Sequence, residues 1–365
     1  MSARRGIRPT STVTDVAREA GVSVSTAARV LRQADYGVSP TLQEKVRKAA
    51  DNVGYVPNLL ARNLRHGDHP FIGLLSGYML DPYFGEIAEA VTEEANARSL
   101  LAIVSNMQRD PRLEIAQCQR LWEHRVSGLI LTGGGFDQRT FRNEFATLIR
   151  KMRRAGVIVV SVADRDFDVP TFSVDNELVG RTLAEHLVRQ GHREIGVVIG
   201  PAQSRLTELR AFGIEAVLSD TGVRSTKLHS DYGVAAGVAA ADRLTALNPR
   251  LTAIIAGADT LAVGVVQRLQ AIGYRIPDDI SVIGVGNTVY ARLITPHLST
   301  IDVSIPSCST AAVRYVVERL AGRKPPAPAR FPVKLVEAGS VGTRRRSTRR
   351  PKADRDGVRR SRRAV

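Results

Sequence analysis

The sequence is poor in features that mark several protein classes. It contains two cysteines, Cys118 and Cys308, in 365 residues, too few for a disulfide framework, which predicts a reducing compartment. No apolar run approaches the length of a membrane span, and the opening residues MSARRGIRPTST contain no signal-peptide hydrophobic stretch. These absences argue against a secreted or periplasmic protein. They predict a cytoplasmic protein with no membrane partner.

Motifs of the common α/β enzymes are missing as well. The sequence has no G-x-G-x-x-G after its first strand-like run, no phosphate loop with G-K-[ST] and no G-x-S-x-G elbow. Its seven histidines, among them His124 and His192, show no metal-ligand spacing. We therefore expect a protein that is not an enzyme and has no cofactor or metal.

Positive charge is abundant and lies at the two ends of the chain. The net charge is +16, and residues 1–66 contain 11 Lys and Arg against 5 Asp and Glu. Residues 343–365 contain 11 against 2, so the intervening body is close to neutral. Two basic ends on a neutral body are typical of a protein that contacts a polyanion with its ends. For the tail, a role in solubility is the open alternative.

The first 65 residues predict short helices without strands. The run T-V-T-D at 12–15 resembles a capping box at the start of a helix that extends to about Ala20 and ends at Gly21. Ser23 can cap a second helix to about Arg32. Ser39-Pro40 offers an N-cap followed by proline at the first helical position of a third helix, which Gly54 ends.

From residue 71 onward, short apolar runs alternate with amphipathic stretches of helical length. This alternation predicts βαβ units and doubly wound parallel sheets, and about ten runs are too many for one compact sheet. We therefore expect two lobes. The runs that carry the prediction are FIGLL, LLAIVS, GLILT, VIVVSV, IGVVIG, TAIIAG and ISVIGV. The basic segment after residue 342 has no material for a core, so we expect it to be disordered.

Several motifs, in order, resemble the lactose-repressor (LacI/GalR) family of bacterial transcriptional regulators over roughly residues 12–342. They are TVTDVAREAGVSVSTAARVL, GYVPNLLARNL, DPYFGEI, VDNELVG, GHREIGVVIGP, IPDDISVIG and ITPHLSTI. The resemblance implies an N-terminal all-α helix-turn-helix head and an α/β two-lobed body like the periplasmic binding proteins. The expected segments are an arm at 1–11, a head at 12–56, a hinge helix at 57–66, a body for effector binding and dimerisation at 67–342 and a tail at 343–365.

The resemblance implies which residues touch DNA. Val24, Ser25 and Arg29 are expected to contact bases, because a recognition helix presents its N-terminal residues to the major groove. Arginine can bond guanine in a bidentate manner, and valine can pack on a thymine methyl group. Ser23, Thr26 and Thr12 are the neighbouring DNA contacts. The alternative reading is that Ser23 only caps its helix and that Arg29 is a solvated surface charge.

The hinge follows the same resemblance. Eight residues, 57–64, are too few for a stable isolated helix, and the family's hinge implies that they become helical only on DNA. There, Asn58 is an expected contact, and Leu64 stands where the wedging leucine opens a base step in the minor groove. A homodimer on a palindrome is the expected assembly, with a tetramer as the alternative. The alternative to the wedge is that Leu60 and Leu64 are simple packing contacts at i, i+4 spacing.

The expected effector cleft is less like the family pattern. Residues expected to bind an effector are Tyr83, Phe84, Asp164, Ser204, Arg210 and Asp259. Family polar positions are replaced by Ala163, Ala258, Gly286 and Ala338, which favours a non-sugar effector, a less polar one, or none. The alternatives to effector binding are that Arg210 is an ordinary exposed helix residue and that Phe84 belongs to the core. A secreted sugar-binding protein would share the body, but the head and the absent signal peptide argue against it.

Overall fold

The computed structural model describes residues 11–31, 37–56, 71–133 and 139–344. The chain divides into two compact units, Met1–His69 and Pro70–Val365. The expected hinge at 57–66, and with it Asn58 and Leu64, lies outside the described residues. So do residues 1–10 of the expected arm and residues 345–365 of the expected tail.

The first unit is a cluster of short helices: α1 (Val13–Ala20), α2 (Val24–Leu31) and α3 (Pro40–Asn52). Each helix buries one apolar stripe, and the three stripes meet in a small core. The buried residues of that core are Val16, Ala17, Ala20, Ala27, Val30, Val46, Ala49 and Ala50. The core is mostly alanine and valine, which lets the helices pack closely.

Local capping fixes both ends of α1. The backbone N–H of Thr12 donates to Asp15 Oδ2 over 2.9 Å, and the Asp15 N–H donates to Thr12 Oγ1 over 3.3 Å. This reciprocal pair is a capping box, as the sequence predicts. Gly21 ends the helix in the left-handed region with φ of 61°, a conformation that glycine adopts at little cost. The chain therefore turns within three residues and starts α2 at Val24.

The second unit begins with a four-stranded parallel sheet in the order β2-β1-β3-β4. Five of the six residues of β1 are buried, as expected of strands covered on both faces by helices. The elements of this first lobe, in chain order, are β1 (Phe71–Ser76), α4 (Pro82–Asn96), β2 (Leu101–Asn106), α5 (Pro111–Glu123), β3 (Gly128–Leu131), α6 (Arg139–Arg154) and β4 (Ile158–Ser161).

The second lobe is built on a six-stranded sheet in the order β12-β10-β9-β8-β6-β7, in which only the pairing of β12 with β10 is antiparallel. Its elements are α7 (Asn176–Arg189), β6 (Glu194–Ile199), α8 (Arg205–Asp220), β7 (Arg224–His229), α9 (Val234–Leu247), β8 (Ala253–Ala256), α10 (Asp259–Ala271), β9 (Ser281–Gly286), α11 (Val289–Leu293), β10 (Ser299–Asp302) and β12 (Lys334–Val336).

The chain passes between the lobes three times. It leaves the first lobe after β4 through the short strand β5 (Phe172–Val174). It returns after β10, where α12 (Ile305–Leu320) packs on α4 and β4 of the first lobe. It then crosses again through β11 (Ala329–Phe331), which pairs in parallel with β5, before it reaches β12. The two-stranded pair therefore lies in the connections between the lobes, where a hinge motion would act.

The second unit therefore contains the two doubly wound lobes that the sequence predicts. None of the helices in the described ranges combines the length and the apolar character needed to cross a membrane. Both cysteines lie buried and unpaired on helices, Cys118 on α5 and Cys308 on α12, which agrees with the prediction that they form no disulfide framework.

Candidate nucleic-acid interface and ligand cleft

The N-terminal end of α2 presents polar side chains to solvent. Ser23, Ser25 and Arg29 are exposed, and Val24 retains 48% of its accessible surface. Ser25 and Arg29 are four residues apart and therefore lie on the same face of the helix. An exposed valine beside this polar face gives an apolar contact that a thymine methyl group can meet.

Ser23 also has a structural role. Its Oγ accepts the backbone N–H of Thr26 over 3.1 Å and lies 2.8 Å from the hydroxyls of Ser25 and Thr26. Thr12 is exposed, but its hydroxyl donates to Asp15 Oδ2 over 2.7 Å. The capping role that was the alternative for Ser23 is therefore present, and Thr12 has a capping role as well. It is compatible with a phosphate contact, because a capping hydroxyl retains further hydrogen-bonding capacity.

The second unit contains a cleft of about 310 Å³ between its lobes. Its walls come from the segments that follow the carboxyl ends of strands in both sheets. In open α/β sheets this is where ligands bind, at the point where the strand order reverses. The residues that line the cleft include Gly77, Asp81, Tyr83, Phe84, Met107, Arg109, Gly133, Gln203, Ser204, Leu206, Arg210, Asp231, Tyr232, Asp259, Thr260, Val285 and Thr288.

Arg210 is a buried cation in this cleft, with 6% of its surface exposed. Its Nε donates to Asn176 Oδ1 over 3.1 Å, and its Nη1 donates to the carbonyl oxygen of Gly257 over 2.8 Å. Among the described residues, no carboxylate lies within 4.0 Å of the guanidinium and Nη2 has no acceptor. Burial lowers the pKa of Arg210. The plain alternative of an exposed helix arginine is wrong.

A second arginine stands among aromatic rings that come from both lobes. The guanidinium carbon of Arg109 lies 5.0 Å from the ring centroid of Tyr78, 5.7 Å from that of Phe84 and 5.1 Å from that of Tyr232. Its Nη2 donates to Asp81 Oδ2 over 2.6 Å. Rings within about 6 Å of a cation attract it through their quadrupole, so Arg109 connects the first lobe to Tyr232 of the second.

Glycines allow these rings to approach the strand ends. A Cβ on Gly77, directly after β1, would lie 2.3 Å from the Phe84 ring, and one on Gly200, directly after β6, would lie 2.1 Å from the Tyr232 ring. Any larger residue at either position would displace an aromatic wall of the cleft. Phe84 also packs edge-on against Tyr83, with centroids 5.1 Å apart.

Asp259 lies at the start of α10 with both carboxylate oxygens already bonded. Oδ2 accepts the backbone N–H of Thr288 over 2.8 Å and its hydroxyl over 3.0 Å, and Oδ1 accepts the hydroxyl of Thr300 over 2.6 Å. Burial raises the pKa of Asp259, and these bonds oppose the rise. The carboxylate thus ties the start of α10 to the segment after β9 and to β10 at the cleft wall.

The other expected effector residues divide between the cleft and its surroundings. Tyr83, Phe84 and Ser204 line the cleft, and Ser204 is buried at the start of α8 without a side-chain cap bond. Asp164 is not part of the cleft wall. Its Oδ1 lies 2.6 Å from Arg330 Nη1, and its Oδ2 accepts from Asn176 Nδ2 over 3.2 Å. Asp164 therefore reaches the cleft through Asn176, which bonds Arg210.

Sequence reasoning did not identify Arg109, Asp81 or Tyr232. Asp81 begins the DPYFGEI motif, but that motif predicts no role for its carboxylate, and Arg109 lies 28 residues further on, outside the motifs named above. The available signal was that both follow apolar strand-like runs, since the carboxyl ends of parallel strands meet at one edge of a sheet. No group of three or more His, Cys, Asp or Glu able to hold a metal ion occurs among the residues described.

Comparison with known proteins matches both units. Residues 12–58 match the model described as bacterial regulatory proteins, lacI family, and residues 184–341 match the periplasmic binding protein-like domain. A helix-turn-helix head and a two-lobed body with a ligand cleft define a DNA-binding transcriptional regulator. The chain contains a helix-turn-helix domain of the lacI family together with a periplasmic binding protein-like domain, and it is similar to repressors of that family.

Relatives align over nearly their whole length. The HTH-type transcriptional repressor PurR of Pectobacterium carotovorum is 28% identical over 318 residues, which covers 86% of this chain and 92% of the relative. The ribose operon repressor of Halalkalibacterium halodurans is 27% identical and covers 89% and 96%. The lac repressor dimer bound to operator and the anti-inducer ONPF has a TM-score of 0.78 at 25% identity, with coverage of 91% and 99%.

Proposed function

We propose that this protein is a cytoplasmic, nucleoid-associated repressor that binds a palindromic operator as a homodimer and that a small molecule in the cleft modulates it. The proposed segments are the arm 1–11, the head 12–56, the hinge 57–66, the body 67–342 and the tail 343–365. It works by binding, without catalysis. The relatives named above are repressors, and one solved relative is a dimer on its operator.

The observation that carries the proposal is the exposed N-terminal end of α2. A helix that enters the major groove needs base-reading side chains on one face of its first turns. That end offers an apolar contact from Val24, a hydroxyl from Ser25 and a bidentate contact from Arg29. All three residues are exposed. We assign base readout to these residues and backbone contacts to Ser23, Thr26 and Thr12.

The hinge proposal concerns residues 57–66. One head reads only a few base pairs, so a symmetric dimer on a palindrome provides both affinity and register. We propose that paired hinges become helical on the operator, with Asn58 as a contact and Leu64 as the minor-groove wedge. Unstacking a base step costs a few kcal/mol, which contacts on the bent duplex must offset.

The first experiment selects genomic fragments with the purified full chain and then measures affinities for the selected operator. Arg29→Ala should relax preference at one base position of each half-site. The control Arg120→Ala removes an equal charge from the exposed face of α5 in the body and should leave the ranking of sites intact. Equal weakening of all sequences by Arg29→Ala would show that this arginine only holds the backbone.

The second experiment tests the hinge with Leu64→Ala, which keeps helix propensity and removes the wedge. We expect lower operator affinity and less DNA bending in gel-mobility assays, with non-specific binding nearly unchanged. The variant should still elute as a dimer, because we place the dimer interface in the body. Wild-type bending by this variant would refute the wedge.

A further inference from the structure

The hydrogen-bonding groups of the cleft are unequally available. Donors point into it without partners, whereas most of its carboxylate oxygens are already bonded within the protein. We propose that the effector is a small organic acid with an apolar or aromatic body and that its carboxylate binds Arg210. This inference rests on the effector role of the cleft proposed above and names the chemical class of the ligand.

Arg210 is the donor that lacks an anion. Two of its nitrogens bond neutral oxygens of Asn176 and Gly257, and Nη2 has no acceptor among the described residues. A buried charge is costly unless it is paired. A ligand carboxylate would supply the missing counter-charge, and a hydrogen bond between two charged groups is about twice as strong as a neutral one.

Tyr83 adds a second donor to the cleft, from α4 of the first lobe. Burial raises the pKa of Tyr83 to about 12, and the positive charge of Arg210 opposes the rise. The phenol therefore stays protonated at neutral pH and has a proton to donate. Both side chains line the cleft, so a ligand carboxylate there can meet a guanidinium and a phenol as donors.

Two of the three carboxylates that line the cleft, those of Asp81 and Asp259, are engaged within the protein. Asp81 accepts from Arg109 and from the backbone N–H of Tyr83, and Asp259 accepts three bonds from Thr288 and Thr300. Asp231 lines the cleft but is exposed to solvent. A sugar brings several hydroxyl donors that each need an acceptor, and hydroxyls left unpaired in a buried site cost binding energy. The arrangement therefore disfavours a polyhydroxylated ligand.

The remaining walls suit an apolar or aromatic body. Phe84 and Tyr232 offer rings, and Met107, Leu206 and Val285 offer aliphatic surface. A cleft of about 310 Å³ is at the small end of the range for ligand pockets. Arg109 lies over the rings and is paired with Asp81, which fixes its position and offsets its charge.

The test measures selectivity between acids and their amides on the full chain. Benzoate, 4-hydroxybenzoate and cyclohexanecarboxylate are each paired with the matching amide, and D-ribose and adenine serve as neutral probes. Binding is followed by calorimetry and by thermal shift, and its consequence by the affinity for the selected operator. We expect at least one acid to bind, to change operator affinity and to exceed its amide by roughly 10- to 100-fold.

Arg210→Gln should abolish the preference for the acid while leaving amide affinity within about twofold, since the acid and the amide lose the same packing contacts. Arg210→Lys keeps the charge, so it should retain part of the preference even where the glutamine variant is poorly folded. Arg120→Gln on the exposed face of α5 is the matched control and should behave as wild type.

The possible outcomes distinguish a failure of the acid assignment from a failure of the effector role of the cleft. Binding of ribose or adenine without binding of any acid overturns the acid assignment and leaves the effector role of the cleft intact. An acid preference that survives Arg210→Gln also overturns it. A panel in which no compound binds and none changes operator affinity overturns the acid assignment and the effector role together.

Discussion

His192 should make the stability of the second unit depend on pH in a defined direction. The imidazole is 2% exposed. Its Nε2 lies 3.1 Å from the carbonyl oxygen of Gly342 and its Nδ1 lies 3.0 Å from the Thr252 hydroxyl. Because a carbonyl can only accept, Nε2 carries the proton in the neutral ring. Burial lowers the pKa of His192 to about 4, and the nearby charge of Arg344 acts in the same direction.

The direction in which stability changes with pH follows from proton uptake by the unfolded chain. An unfolded histidine titrates near 6.5, so between pH 6.5 and about 4 the unfolded state binds a proton that the folded state does not. Stability is therefore fully present above pH 6.5 and falls as the pH drops towards 4. The difference between the two pKa values corresponds to roughly 3 kcal/mol in the free energy of unfolding.

The assay compares urea unfolding of wild type and His192→Gln at pH 7.5, 6.0, 5.0 and 4.5. The glutamine variant lacks this proton uptake, so the wild-type advantage should shrink as the pH falls, by about 2–3 kcal/mol over the range. His124→Gln, at an exposed histidine, is the control and should stay parallel to wild type. A His192→Gln curve parallel to wild type would refute the burial argument.

Four further outcomes are expected. Thr12→Ala removes the side-chain cap of α1 and should destabilise the head by about 1 kcal/mol in thermal unfolding. Arg29→Ala should cost about 1–3 kcal/mol at one base position in competition binding. Deleting 343–365 should flatten the plot of log K against log salt by about 0.9 per lost phosphate contact. Glu114→Ala leaves Arg165, only 1% exposed in its side chain, without its anion and should cost about 3–5 kcal/mol in urea unfolding.

Elements with local signals were predictable from the sequence. The start of α1 depends on Thr12 and Asp15, and its end depends on Gly21, so the relevant physics acts within a few residues. Six of the seven strands named from apolar runs are mostly buried, as expected of strands covered on both faces. The seventh, β2, also comes from an apolar run, but it has no buried residue. The match extends to α3, where Pro40 occupies the first helical position.

Elements without such signals were missed. β7 reads R-S-T-K-L-H, and only Leu228 in it is buried, because it is the edge strand of its sheet and faces solvent. The pair of β5 and β11 joins residues that are distant in the chain. The partners of Asp164 were also unpredictable, because Arg330 reaches it from the last crossover between the lobes. In each case the deciding contact is tertiary.

The position of Arg109 suggests how a ligand could act on the angle between the lobes. Its guanidinium touches rings from the first lobe and Tyr232 from the second, and Asp81 holds it in place. A ligand shifts a conformational equilibrium only through a difference in affinity for the two states. Arg210 lies on α8 of the second lobe and Arg109 follows β2 of the first, so a molecule that contacts both spans the two lobes. We therefore expect Arg109→Ala to weaken the effect of an acid on operator affinity more than it weakens acid binding itself. Equal loss in both measurements would make Arg109 an ordinary binding residue and would remove it from the coupling.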